Sequence, residues 1–451
     1  MHKNLSGKEY RGQWDAVAIA SVVLLALSFA FGGDTRAHAL RLALVELAAL
    51  PLLVLAAGRL IRTGHWREHR LALGLLAAIT AIPLVQLIPL PPAVWTGLPG
   101  RDQLVLALDL AGLQPGWAPL TLTPDLTWRS ALALVPPAAM LMAALTLSPL
   151  QRARLISLCL AAAVIAMLLG VAQMAGAGDR IYPWGANKPD TLRGFFANRN
   201  HLASMILAVL PFGIVLGAAS LRRRDGDRRA LWFAAVLVGV VIIALAAIRS
   251  RAGIMLFVPV MASSLLAAWI ATGRGRPAPA LLLLLGATGA ALTAVAVLAL
   301  PPIMDRFESQ DSGGRFDRWP TVAEAAQTYL PLGSGMGSFD AVYRSVEPLN
   351  ELDFSFFNQA HNDYLETWLE AGWLGAALIL GFLVWYGRRT WSAWRAPPSG
   401  ERDLQRAASI AIGVFLLHSI GDYPLRTTAL AVMLALCCGL LELSKLSTRS
   451  L

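Results

Sequence analysis

Charge is what this sequence has least of: only 15% of its 451 residues are Asp, Glu, Lys or Arg, against about 25% in a soluble domain. With 56% hydrophobic residues and a mean hydropathy of +0.58, soluble globular units are excluded and an integral membrane protein is expected. Cysteine is scarce as well. Cys159, Cys437 and Cys438 all lie in apolar runs, which leaves no extracellular disulfide framework and reads as packing. Metal-ligand patterns are missing: the chain has no H-E-x-x-H and no paired C-x-x-C, so no metal site is expected. It also lacks internal repeats and low-complexity tracts.

What is there is a succession of apolar runs. A membrane-crossing helix needs about 20 apolar residues, and by that measure spans are expected at 15–33, 37–58, 71–90, 129–147, 154–175, 201–220, 231–248, 252–272, 278–301, 370–387, 406–421 and 427–444. The fold class is therefore an all-α membrane bundle of about twelve helices. The first run exceeds a signal-peptide core and the next follows almost at once, so an uncleaved helix is expected. The chain divides into spans over 1–301, a loop over 302–369 and further spans over 370–451.

The formal charge of +10 raises the possibility of nucleic acid, but its placement argues for topology instead. "LRRRDGDRRA" sets five arginines in residues 221–230 between two apolar runs, the signature of a short cytoplasmic loop. Arg59, Arg62, Arg67, Arg70, Arg152, Arg154, Arg274, Arg276, Arg388, Arg389 and Lys445 fall on the same side when the N-terminus is inside. Both termini are then cytoplasmic. Segments 91–128, 176–200 and 302–369 face the other compartment. The last is too long for a simple connector, and "RFDRWPTVAEAAQTYL" places Trp319, Val322, Ala325 and Ala326 at helical spacing.

Residues 302–365 hold ten acidic side chains and four basic ones, so an arginine there has no topological reason to exist. Arg315 and Arg318 sit three apart in "SGGRFDRWP", on one helical face. They read either as surface ion pairs or as guanidinium forks for phosphate oxygens. Arg249 and Arg251 stand in the external turn "AIRSRAGIM", where snorkelling is the plain alternative. A third group, "RGFFANRNHLASM", offers Arg193, Arg199 and His201, with Asn198 or Asn200 as a helix cap.

The run His361-Asn362-Asp363-Tyr364 opens an apolar helix. With His361 counted as its first residue, Asp363, Glu366 and Glu370 lie roughly 200°, 140° and 180° away at 100° per residue. The acids share a stripe that His361 faces away from, a poor arrangement for a joint metal site. A histidine without a metal suits general-base or hydrogen-bonding work. "GSGMGS" at 333–338 follows no strand and is a weak phosphate-loop signal, although its amides could line an anion pocket. "DGD" at 225–227 reads as a turn. His418 and Asp422 in "HSIGDYPLR" could assist a site or form a membrane-edge hydrogen bond.

Through "GFFANRNHLA", "SRAG", "GRFDRW", "PLGSGMGSF" and "HNDYLETWLEAGWLG", in that order, the chain resembles the O-antigen ligase/polymerase superfamily of bacterial envelope glycosyltransferases. The likeness covers roughly residues 190–380; the first 150 residues match only as generic spans. It implies a metal-independent, inverting transfer of a glycan from undecaprenyl diphosphate to a glycolipid or glycan acceptor, at the periplasmic face of the inner membrane. No cofactor or nucleic acid is expected. By motif position Arg251 resembles the family's span-edge arginine, Arg315 its R-x-x-x-W arginine and His361 its HN histidine. The arginines would engage the donor diphosphate and His361 the acceptor hydroxyl. Arg318, Arg249, Arg199, Arg193 and Asn362 are expected to support substrate binding. A ligase acting on lipid A–core and a polymerase acting on a polyprenyl-linked repeat unit share this chemistry. A transporter would instead place ionisable residues at mid-membrane, and a non-catalytic scaffold would tolerate loss of the arginines.

Overall fold

The computed structural model describes residues 14–34, 38–177, 191–222, 228–273, 286, 289, 315–349, 352 and 357–442. Its helices are α1 (Ala16–Phe31), α2 (Ala39–Thr63), α3 (Arg70–Gln86), α4 (Pro92–Trp95), α5 (Asp102–Leu110), α6 (Pro124–Ala133), α7 (Val135–Thr146), α8 (Pro149–Ala172), α9 (Arg199–Ala219), α10 (Arg228–Ile248), α11 (Arg251–Thr272), α12 (Trp319–Thr328), α13 (Phe339–Val346), α14 (Asp363–Arg395), α15 (Gly400–His418) and α16 (Thr428–Leu441). The expected spans fall on these helices, except 278–301, which apart from residues 286 and 289 lies outside the described residues, as does the Asp225-Gly226-Asp227 turn. Six helical stretches are long and apolar enough to cross a membrane, and α1, α3, α16 and the Trp232–Ile248 part of α10 are shorter apolar helices. Among the described residues the only sheet is one short antiparallel pair, Pro89–Leu90 with Ala118–Pro119.

Sequence and burial agree on the centre. In α9 89% of the most apolar window is buried, and the helix packs against α8, α10, α11 and α15. A helix apolar on every side must be surrounded by others. A second layer joins α2, α7 and α16. Pro51, Pro83, Pro211 and Pro259 lie inside helices, where packed neighbours offset the missing hydrogen bond.

The helix ends are fixed by side chains. Asp15 accepts from the Ala18 amide at 2.9 Å, and Ser148 with Gln151 forms a reciprocal capping box at the start of α8. At one rim of the bundle, Asn198 caps α9, Ser250 caps α11 and Asn362 caps α14. At the opposite rim, buried carboxylates pair with arginines: Asp403 with buried Arg406 at 2.9 Å and with half-buried Arg222, and Glu442 with half-buried Arg389.

The described part of 302–369 has its own small core. Val322, Ala325 and Ala326 of α12 meet Phe339, Val342 and Tyr343 of α13, together with Phe357, Ala360 and Leu369. Gln86 stitches this unit to α3, donating to Glu370 O and accepting from the Met336 amide, both at 2.9 Å.

A candidate catalytic rim built on three helix N-termini

His361 does not begin its helix, contrary to the reading from sequence. It has φ 50, Asn362 is extended, and α14 starts at Asp363. A left-handed φ at a non-glycine residue costs about 1 kcal/mol or more and persists only where surrounding contacts impose it. Those contacts are clear. The Asn362 Oδ1 accepts from the Tyr364 and Leu365 amides at 3.1 and 3.0 Å, and the Asp363 amide donates to Ser419 O at 3.0 Å. Upstream, the Ala360 amide donates to Glu366 Oε2 at 2.9 Å, and the Trp319 indole donates to Ala360 O at 2.9 Å. The histidine is thus the pivot between the loop and α14.

Its ring packs against Tyr423 and Phe357, with centroids 4.7 and 5.6 Å away. The Nδ1 atom lies 3.4 Å from Asp422 Oδ1, and the side chain keeps 12% exposure. That separation is long for a strong hydrogen bond, but close enough for the carboxylate to orient the ring. Burial pushes the His361 pKa below its ordinary value; Asp422 opposes this, and Arg315 adds to it. The imidazole is therefore neutral at pH 7.

Asp422 is the hub. It accepts from Asn200 Nδ2 at 2.5 Å, from Asn198 Nδ2 at 3.4 Å and from the Tyr423 amide at 2.9 Å. His201 stands 3.9 Å away. Burial alone would raise its pKa, yet His361, His201 and His418 hold it well below the usual carboxylate range. A buried carboxylate this fully coordinated by donors stays ionised.

The arginines separate into two groups. Arg315 is near enough to act electrostatically on His361 and Tyr423, and Arg318 also acts on His361. Arg318 is buried, its guanidinium 4.9 Å from the Phe357 ring centroid. Arg251 is the first residue of α11. The preceding Ser250 donates to Asn200 Oδ1 at 2.9 Å, and Asn200 in turn holds Asp422, so the start of α11 is tied to the hub. Arg249, at φ 54, is exposed in the turn just before it. Arg193 serves its own loop, donating to Ala197 O at 3.2 Å and Thr191 Oγ1 at 3.3 Å. Arg199 is half-buried at the first position of α9.

The acidic stripe of α14 belongs to a different partner. Arg426, which the sequence reading passed over, meets Asp363 at 3.6 Å, Glu366 at 3.4 Å and Glu370 at 2.9 Å. Burial would lower its pKa, but the three carboxylates raise it and keep it charged. The glycine turn is also spoken for: the Gly337 and Phe339 amides donate to Glu370 Oε1 at 2.8 and 3.3 Å. The anion in that nest is therefore the protein's own carboxylate. Gly333 and Gly372, at φ 85 and φ 56, let the turn dock on a break in α14. A Cβ on Gly372 would meet Pro331 O at 2.1 Å.

Chemically, the rim combines a neutral imidazole aimed by a carboxylate, guanidinium groups within electrostatic reach of it, and the N-termini of α9, α11 and α14. Helix N-termini present free amides and partial positive charge, a setting for anions. Among the described residues no cluster of three or more His, Cys, Asp or Glu could hold a metal ion. No curated protein matches the chain. Residues 240–380, which carry Arg249, Arg251, Arg315, Arg318, His361 and Asn362, match the family model described as O-antigen ligase.

Proposed function

We propose that this protein is a metal-independent, inverting glycosyltransferase that moves a glycan from undecaprenyl diphosphate to an acceptor hydroxyl. In this reading about twelve helices cross the bacterial inner membrane, and the His361 rim faces the periplasm. The observation that carries it is the His361–Asp422 pair, within electrostatic reach of Arg315, where three capped helix starts meet.

The step balances without a cofactor. The acceptor oxygen bonds to the anomeric carbon as its proton passes to His361 Nε2, the ring nitrogen turned away from Asp422. The bond from that carbon to the diphosphate oxygen breaks, and the diphosphate leaves with the electron pair. Negative charge grows on the leaving group, where preplaced guanidinium groups stabilise it. Arg315 and Arg251 take that role, with Arg318, Arg249 and Arg199 adding positive potential and Arg193 shaping the loop. Asn362 contributes by capping α14 and so fixing His361. Asp422 stabilises the imidazolium that forms.

The acceptor is lipid A–core in a ligase and another polyprenyl-linked glycan in a polymerase. The test is transfer by purified protein in liposomes given a polyprenyl-diphosphate glycan and each acceptor, with chelator present. Transfer that survives chelation and disappears in both Arg315→Ala and His361→Ala is the expected outcome. Wild-type rates in both variants would refute the assignment, and loss of transfer on chelation would refute the metal-free step.

A further inference from the structure

Among the described residues of 302–369, Phe316 is the one aromatic side chain left exposed, at 58%. A lone exposed apolar side chain is ordinary, but this one is held in place. It lies in the turn ahead of α12, and its ring meets that of Trp319 edge to face, the centroids 4.8 Å apart and the planes at 83°. The Trp319 amide donates to Phe316 O at 3.3 Å, which closes the turn that sets the rings together. The Trp319 indole N–H is spent on Ala360 O at 2.9 Å, and Ala360 is the residue before His361. The two rings thus make a corner, open on one side and pinned to the segment that carries the base.

The flanking charges exclude one occupant and favour another. Phe316 stands between Arg315 and the exposed Asp317. A ring dipping into lipid would carry both charges towards hydrocarbon, which is costly. A sugar ring suits the same setting. Its face presents C–H groups, which sit well on the negative face of an aromatic ring, and its rim presents hydroxyls, from which a carboxylate accepts. Sites that orient a ligand combine these two kinds of contact.

Adjacency in the chain selects which sugar. Arg315 acts electrostatically on His361, and neighbouring Cα atoms are only about 3.8 Å apart. A ring over Phe316 therefore belongs near the end of the glycan that is joined to the diphosphate engaged by Arg315.

We infer that Phe316 is a stacking platform for a sugar ring of the donor glycan, braced by Trp319 and flanked by Asp317 as a hydroxyl acceptor. This rests on the glycosyl-transfer reading and deepens it: the site grips the donor's sugar as well as its diphosphate. Because Trp319 also holds Ala360, a ring seated there is registered against His361.

The test uses the full-length protein in nanodiscs, with Phe316→Ala, Phe316→Leu and Phe316→Tyr. All three change an exposed side chain, and thermal unfolding checks that each variant is folded. Phe316→Leu keeps apolar bulk but loses the aromatic face; Phe316→Tyr keeps the face. With an undecaprenyl-diphosphate glycan as donor, Phe316→Ala and Phe316→Leu should each raise the donor KM about tenfold. They should leave kcat and the acceptor KM near wild type, because stacking is shared by the ground and transition states. Phe316→Tyr should keep the wild-type donor KM. An unchanged donor KM in Phe316→Leu would overturn the platform, since bulk alone would then suffice. A rise in acceptor KM instead would give the ring to the acceptor and overturn the donor assignment.

Binding is read separately, with the same glycan freed of its carrier and followed by saturation-transfer NMR. Saturation should reach the sugar in wild type and Phe316→Tyr and be largely lost in Phe316→Ala and Phe316→Leu; no saturation in wild type would overturn the proposal. Protein that binds the free glycan through Phe316 yet transfers none defeats the glycosyltransferase reading, and the donor assignment with it. Transfer that is indifferent to all three substitutions defeats the platform alone.

Discussion

Asp422 brings its Oδ1 to 3.4 Å from His361 Nδ1, joining the turn after α15 to the residue that precedes the cap of α14. The pair exists because the Asp363 amide is bonded to Ser419 O and Ser419 Oγ donates to Asp363 Oδ2 at 2.7 Å. These two bonds clamp the chain around 419–422 onto the start of α14, and the rest of the site is arranged about that clamp.

The His361 pKa is lowered by burial, so the base is in its working form above that value and is lost as pH falls through it. Transfer should therefore fall off on the acid side only below about pH 6.5, the ordinary histidine value. Asp422 opposes the lowering; in Asp422→Asn the acid limb should move to still lower pH while the plateau rate drops about 100-fold. A pH–rate profile of kcat/KM for both proteins checks this. An unmoved limb would remove Asp422 from the mechanism.

Two loop arginines should behave differently. Arg315→Ala should lower kcat by about 100-fold or more, as expected for loss of a charge-stabilising donor. Arg344 pairs with Asp340 at 2.8 Å on an exposed face, and Arg344→Ala should change stability by less than about 1 kcal/mol and leave the rate alone. Equal effects would mean that the loop's overall charge, rather than position, is what matters.

Arg426→Ala strands three carboxylates at the base of the loop and should destabilise the protein by about 3–5 kcal/mol. Arg426→Lys keeps one charge but cannot serve all three acids through a planar fork, so it should fall between. Thermal unfolding in detergent gives the order; wild-type stability in Arg426→Ala would show the cluster to be dispensable.

Gly372→Ala should also destabilise, by about 2 kcal/mol or more, because φ 56 and the Pro331 carbonyl both oppose a side chain. Gly387, with open space around its Cβ position inside the same helix, is the control. There alanine should stabilise by up to about 1 kcal/mol. Comparison of the two melting temperatures decides it.

Much of this was legible in the order of residues. Apolar runs marked the helices because a bilayer leaves the backbone no partner but itself. The helical spacing of Val322, Ala325 and Ala326 marked α12, since those residues bury one face. The acids at 363, 366 and 370 were readable as one stripe because helix geometry is fixed by local rules. His361, Arg315 and Arg251 stood out by position: a titratable cluster or an arginine beside an apolar run on the external side has few structural excuses.

What the sequence could not decide was partnership. Nothing local says that Asp422 serves His361, that Arg426 answers the acidic stripe, or that the glycine turn cradles Glu370 rather than a phosphate. Each pairing joins residues from different segments, and the strength of a buried charge pair depends on distance and burial, which exist only after the helices pack. The helix content of this protein was determined residue by residue along the chain. Its chemistry was decided by which helix ends the fold brought to the same rim.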